Sequence, residues 1–209
     1  MVFDEAFLAD LRKAIEPYMS QPRLLHTLAV ERECAVIGKV CSLHEQELSA
    51  LRVSALLHDL TKEMTVEEHL ALLKENGLSP SADEMLSEEI LHQRTSPLLI
   101  QKRFPACSCP AVTSPILSHT TGKPAMTTAE KILFLADVIE PRRKHEFCQQ
   151  MRLHFYTRLQ QGDPLAVVDG TLLLCLKSTI AHLSEQNRPI ALASVEAYNH
   201  YTVHARPTK

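Results

Sequence analysis

Ser54-Ala55-Leu56-Leu57-His58-Asp59-Leu60 is an apolar run that meets two adjacent ionisable residues, and it closes a pattern that begins near Glu45. Leucine and alanine are strong helix formers, and neither glycine nor proline interrupts the run, so it reads as a core helix. A charge inside an apolar helix is costly unless it is paired or binds a metal. Asp137 repeats the theme in Ile132-Leu133-Phe134-Leu135-Ala136-Asp137-Val138-Ile139. His26, His92 and His119 add further groups of metal-ligand type, and one bound metal site is the simplest common account of the set.

Helical punctuation recurs along the rest of the chain. Helices are expected at about 4 to 19, 22 to 42, 45 to 60, 65 to 76, 81 to 92, 95 to 104, 110 to 119, 127 to 140, 144 to 161, 164 to 186 and 192 to 204. Thr65 with Glu68, Ser81 with Glu84 and Thr127 with Glu130 have the spacing of capping boxes, in which each side chain satisfies the other's free N–H. Pro22 and Pro164 suit first helical turns, while Gly77, Gly162 and Pro141 mark stops. Alternating β patterns with hairpin turns are missing, and the chain has only five glycines, so the fold class is all-α.

A chain of 209 residues with 45% hydrophobic residues suits one domain with a full core. Its formal net charge is only -3 and its longest basic block is Arg142-Arg143-Lys144, so long nucleic acid is not an expected partner. The apolar stretches read as far short of the roughly 20 residues that span a bilayer. Asp4 and Glu5 break any signal-peptide pattern, and a cytoplasmic location with no membrane partner is expected. The six cysteines lack the density of a disulfide framework and read as reduced thiols. Cys107-Ser108-Cys109 faces no second pair at zinc-finger spacing and reads as two loop cysteines.

On a helix His58, Asp59 and Lys62 share one edge, at i,i+4 and i,i+3 spacing. An imidazole and a carboxylate suit Fe, Mn, Zn or Co, and the lysine would face a phosphate oxygen. Arg23 and His26 form a similar pair near the start of the second helix. His26, His58, Asp59 and Asp137 therefore make a four-ligand set with positions left for water and substrate, as a catalytic site requires. His92 and His119, each expected at the C-terminal end of a helix, either complete a second metal or contact phosphate. Single helical histidines are usually surface groups or satisfied core residues, so His44, His69, His145, His154, His182, His200 and His204 are assigned no role.

The order His26, His58-Asp59, Asp137 resembles the HD-domain metal-dependent phosphohydrolases. The strings Leu57-His58-Asp59-Leu60-Thr61-Lys62-Glu63, Ser118-His119-Thr120-Thr121-Gly122 and Leu135-Ala136-Asp137-Val138-Ile139-Glu140-Pro141-Arg142-Arg143 are similar to one branch. That branch is the YqeK-type symmetrical bis(5'-nucleosyl)-tetraphosphatases. Arg188-Pro189-Ile190 and Glu196-Ala197-Tyr198-Asn199 extend the likeness to roughly residues 5 to 203. Two departures are visible: Gln93-Arg94 follows His92 where the family commonly has a small residue, and Ala191-Leu192-Ala193 stands where it often has His-Pro-Asp.

The resemblance implies a single HD-domain helical bundle over residues 1–209, with a core at about 20 to 145 and C-terminal helices at about 146 to 209 completing it. It implies metal-dependent hydrolysis of diadenosine tetraphosphate, and of related dinucleoside tetraphosphates, to two ADP by metal-activated water. Iron is the expected metal, manganese, cobalt and zinc suit the same donors, and one or two ions fit. Family ligands carry onto His26, His58, Asp59 and Asp137. Phosphate or nucleotide contacts carry onto Arg23, Lys62, His92, His119 and Arg143, and Asp59, Lys62, His92 and His119 form the catalytic group. The partners implied are the dinucleoside polyphosphate and its ADP product, with a homodimer as a compatible assembly. Two rival readings differ in class: another HD phosphohydrolase acting on nucleotides, and a nucleotide sensor that binds without turnover.

Overall fold

Helix α3 (Glu45–Leu57) carries the centre of the molecule, because Ala50, Leu51, Val53, Ala55, Leu56 and Leu57 bury nearly its whole circumference. A helix apolar on all sides belongs inside a bundle. Its fully buried Ser54 hydroxyl lies 2.9 Å from the Ala50 carbonyl and 2.8 Å from the Val112 carbonyl, so it is not left unpaired. The computed structural model describes residues 2–204, and among them there are α-helices and short 3-10 segments but no strand.

α1 (Glu5–Ala14) and α2 (Gln21–Val40) precede α3. α2 and α3 form a close antiparallel hairpin: a Cβ on Gly38 would meet Leu48 Cδ1 at 2.6 Å, so a larger residue there would have to push the Leu48 side chain aside. α4 (Val66–Glu75), the short α5 (Ala82–Leu86) and α6 (Leu91–Arg103) follow, with α6 packed on α4 and on α7 (Pro110–Ser118). α8 (Thr128–Ile139) lies against α2, α3 and α7, and then α9 (Glu146–Leu159), α10 (Pro164–Glu185) and α11 (Leu192–His204) close the other side. The capping boxes at Thr65, Ser81 and Thr127 all form. All six cysteines are free thiols.

Four expectations are corrected. The helix expected to run on to about residue 60 stops at Leu57, so His58 and Asp59 sit in the turns after it rather than on its surface. The ladder ends because α6 intervenes: Ser96 Oγ donates to the His58 carbonyl at 3.0 Å and accepts the Thr61 N–H at 3.3 Å. The helix expected over about 81 to 92 is instead α5 and a 3-10 turn at Glu88–Ile90, split by the extended Ser87. His92 therefore lies in the first turn of α6, not at a helix C-terminus. The first helix ends at Ala14, and Pro17 lies in a separate 3-10 turn, Glu16–Tyr18.

The fourth correction concerns α10, which is long and apolar enough to cross a membrane by length and composition. Here it packs on the bundle: Val167, Val168, Leu172, Cys175 and Leu176 are buried, and Asp169 pairs with Lys131 of α8 at 2.6 Å.

Candidate metal centre

The turns after α3, the N-terminal turn of α2, the first turn of α6, the C-terminus of α7 and the last turn of α8 converge on one point. His26, three residues after Arg23 on α2, brings Nε2 to 2.9 Å from Asp137 Oδ1. His58 Nε2 lies 3.4 Å from Asp59 Oδ2 and 3.9 Å from Asp137 Oδ1. On the other side, Asp59 Oδ1 is 3.4 Å from His92 Nε2 and 3.9 Å from His119 Nε2. Ligand-type atoms gather in two triads, His26/His58/Asp137 and His58/Asp59/His119, each with its atoms within 4.8 Å of one another. The two triads share His58.

Each imidazole is oriented from behind. His58 Nδ1 donates to the Ala55 carbonyl, His119 Nδ1 to the Ile116 carbonyl and His92 Nδ1 to the Glu89 carbonyl, all at 2.7 Å. His26 Nδ1 donates instead to Glu140 Oε1 at 3.1 Å. With the proton held at Nδ1, the Nε2 atoms all face inward, and each presents the lone pair that a metal-ligating histidine needs once its ring is neutral. His26 Nε2 and His58 Nε2 are buried without a well-formed hydrogen bond. His92 Nε2 faces His119 Nε2 at 2.9 Å, and the Thr120 hydroxyl beside both has only one proton to give. Such a cluster of inward acceptors around two carboxylates calls for a cation, and its nitrogen and oxygen donors fit Fe, Mn, Co or Zn. These two clusters are candidate metal sites.

The electrostatics agree. Burial would raise the Asp59 carboxyl, but the surrounding His58, His119 and His92 hold it well below the usual carboxylate range. Asp137 is held low in the same way, its burial outweighed by Arg143 and His26. Burial would lower His26, yet its bonds to Asp137 and Glu140 lift it to about 9. His92 is pushed well down by burial and by His119, which leaves it neutral. Burial also lowers Lys62, whose Nζ reaches the Glu89 carbonyl at 3.2 Å and His92 Nδ1 at 3.3 Å.

All nine residues singled out from the sequence converge at this place. Arg23 pairs with Asp59 Oδ2 at 2.6 Å, and Arg143 pairs with the Asp137 carboxylate while its Nε donates to the Asp137 carbonyl at 2.9 Å. Beside them opens a cleft of about 340 Å³ lined by Ser20, Arg23, Glu63, Glu140, Arg142 and Arg143. His69, given no role, is a buried structural group 2.8 Å from Thr95 Oγ1.

Residues around the histidines escaped sequence reasoning. Glu140 is 1% exposed and orients His26, although in the sequence it stood only within the string that carries the family likeness, with no role of its own. Its i+3 spacing from Asp137 was the available signal. Arg152 carried none: it reaches from α9 to the carbonyls of Ile139, Glu140 and Arg143 and ties down the end of α8. Gln93 hydrogen-bonds Thr121, and Arg94 binds Glu84 and the Ser79 carbonyl at 3.0 Å.

The profile of the HD domain matches residues 23–142 of the chain. A protein of Halalkalibacterium halodurans named bis(5'-nucleosyl)-tetraphosphatase, symmetrical, is 28% identical over 185 residues, 88% of this chain and 91% of the relative. A Bacillus subtilis protein of the same name is 23% identical over 88% of this chain and 92% of its own length. A crystal structure from Clostridium acetobutylicum, described as a predicted HD superfamily hydrolase involved in NAD metabolism, superposes with a TM-score of 0.79 at 20% identity. The superposition covers 94% of this chain and 97% of that one, and so extends the shared fold over nearly the whole length.

Proposed function

The chain belongs to the HD-domain family and is a metal-dependent phosphohydrolase of nucleotide-like substrates; within that class we propose that it cleaves diadenosine tetraphosphate symmetrically, giving two ADP. One observation carries the reading. Two clusters of metal-ligand atoms are flanked by three cationic side chains, Arg23, Lys62 and Arg143, which is more positive charge than a single phosphate ester needs. The full-length likeness to two relatives named as symmetrical tetraphosphatases supports the choice of substrate.

On this reading His26, His58, Asp59 and Asp137 hold the metal, with His119 as a further donor where a second ion binds. Iron is the expected ion. When bound, it supplies Lewis-acid polarisation of a phosphoryl oxygen and lowers the pKa of water. The remaining work falls to the protein's own groups, since phosphoryl transfer asks chiefly for positioning and charge neutralisation. Arg23 and Arg143 line the cleft and bind the polyphosphate, and Arg142 stands at the same wall. Lys62 neutralises charge where the chain passes Asp59. Water adds to one of the two central phosphorus atoms, the central P–O–P bond breaks, and one ADP departs with the bridging oxygen. Neutral His92 and its partner His119 offer Nε2 as the atoms at which a proton is held or passed.

We also read residues 1–209 as one functional unit, with the site within about 20 to 145, acting in the cytoplasm on a small-molecule substrate, with a homodimer compatible. Manganese- or iron-loaded protein should hydrolyse diadenosine tetraphosphate faster than any member of a panel of nucleoside monophosphates, deoxynucleotides and cyclic nucleotides. A mononucleotide turned over faster would overturn the assignment in favour of another HD phosphohydrolase. Tight binding of diadenosine tetraphosphate without hydrolysis would favour a sensor.

A further inference from the structure

We propose that Gln93 is a positioning residue whose carboxamide, bonded to Thr121, holds His119 against His92; its role in turnover rests on the function read above. Gln93 follows His92 in the first turn of α6, and Thr121 comes two residues after His119. Gln93 Oε1 accepts the Thr121 N–H at 3.3 Å and Gln93 Nε2 donates to Thr121 Oγ1 at 3.3 Å. The two ends of one planar amide thus grip the main chain and the side chain of one residue. Beside this grip His92 Nε2 and His119 Nε2 stand 2.9 Å apart.

His119 needs such a tie because it caps α7 and begins a turn, where no helical ladder holds it. The Gly122 N–H closes that turn on the Ser118 carbonyl at 2.8 Å, with Gly122 in the left-handed region at φ +70. Ser194 Oγ of α11 donates to the Thr121 carbonyl at 2.9 Å and anchors the turn from the far side. Gln93 supplies the anchor on the near side, and beside the Thr120 hydroxyl, 3.1 Å from His92 Nε2, it joins the turn to the element carrying His92. Without it the Thr121 N–H loses its acceptor, and the turn is held to α6 only where the His119 imidazole and the Thr120 hydroxyl meet His92. Small misplacements of reacting groups are expensive in rate, about a hundredfold for one ångström.

The test uses the whole chain and two readouts. With ¹⁵N-histidine label in the metal-free protein, Gln93→Ala should move the imidazole resonances of His92 and His119 and leave those of His26 and His69 in place. Gln93→Glu keeps an acceptor for the Thr121 N–H and should return them part-way. Thr121→Val, which removes the hydroxyl from the opposite side, should reproduce the pattern even where Gln93→Ala folds poorly. In manganese-loaded protein Gln93→Ala should lower kcat about tenfold with KM within about twofold. Unmoved His92 and His119 resonances, or shifts spread evenly over all histidines, overturn the proposal, as does a kcat that falls only with the folded fraction. If the unaltered chain shows no hydrolysis of diadenosine tetraphosphate, the proposed function fails while the resonances still decide the role of Gln93.

Discussion

Glu140 Oε1 accepts the His26 Nδ1–H at 3.1 Å, from a position at the end of α8 that is 1% exposed. The same carboxylate takes the Arg142 N–H at 2.6 Å, so it is fixed on both oxygens and cannot swing away. It keeps the His26 proton at Nδ1 and raises the basicity of Nε2, which faces Asp137. Glu140→Ala should weaken manganese binding by about 10- to 100-fold, and Glu140→Gln should recover part of the loss. Calorimetric titration of metal-free protein reads this directly. Unchanged affinity would mean that the contact orients nothing.

Asp59 reaches toward His26 and His58 with one oxygen and toward His92 and His119 with the other. Of the two carboxylates only Asp59 reaches both sides, a place it shares with the His58 imidazole, so its loss should be among the most damaging. Asp59→Ala should reduce turnover by about a thousandfold or more while leaving the helical circular-dichroism signal in place. A variant that keeps turnover after metal analysis shows it fully loaded would sink the ligand assignment.

The lifted pKa of His26 sets a pH window. Its folded value of about 9 stands above the ordinary 6.5, so its contribution to stability is complete below 6.5 and is lost as pH rises through about 9. The melting temperature of the metal-free protein should therefore fall across that interval, and His26→Ala should remove that part of the fall. On the acid side Asp59 and Asp137, both held low, give the opposite slope, with stability lost as pH drops below the usual 3.8. Metal competes with the His26 proton, so affinity should rise over the alkaline window. A flat melting temperature between those values would contradict the ion-paired state of His26.

Arg152 ties α9 to the end of the helix that carries Asp137, through the carbonyls of Ile139, Glu140 and Arg143. Arg152→Ala leaves these half-buried acceptors without their donor and should cost about 2 kcal/mol in urea unfolding. Manganese affinity should weaken alongside, because Asp137 lies in the same last turn. Lost stability with unaltered affinity would confine Arg152 to a structural role.

The fold class was legible because helical caps and apolar periodicity are local signals, as at Thr65 and Thr127. The clustering of His26, His58, Asp59 and Asp137 was legible because ionisable residues in apolar surroundings demand an explanation. The exact setting of those residues was not legible. His58 leaves its helix because Ser96, from a helix far along the chain, takes over its carbonyl, and no pattern near His58 announces that. His92 moved from the end of one helix to the start of another because Ser87 is extended, although the capping box at Ser81 does form. Glu140 stood only within the family string and Gln93 only as a departure from it, and the contacts that give them a place come from partners 114 and 28 positions away.

The central claim is a symmetrical cut, and the products report it most directly. Diadenosine tetraphosphate should be incubated with anaerobically purified, iron-analysed protein in ¹⁸O-labelled water and the nucleotides resolved by chromatography and mass. The account predicts ADP as the only early product, two per substrate, with one ¹⁸O on half of it. ATP appearing together with AMP would contradict it.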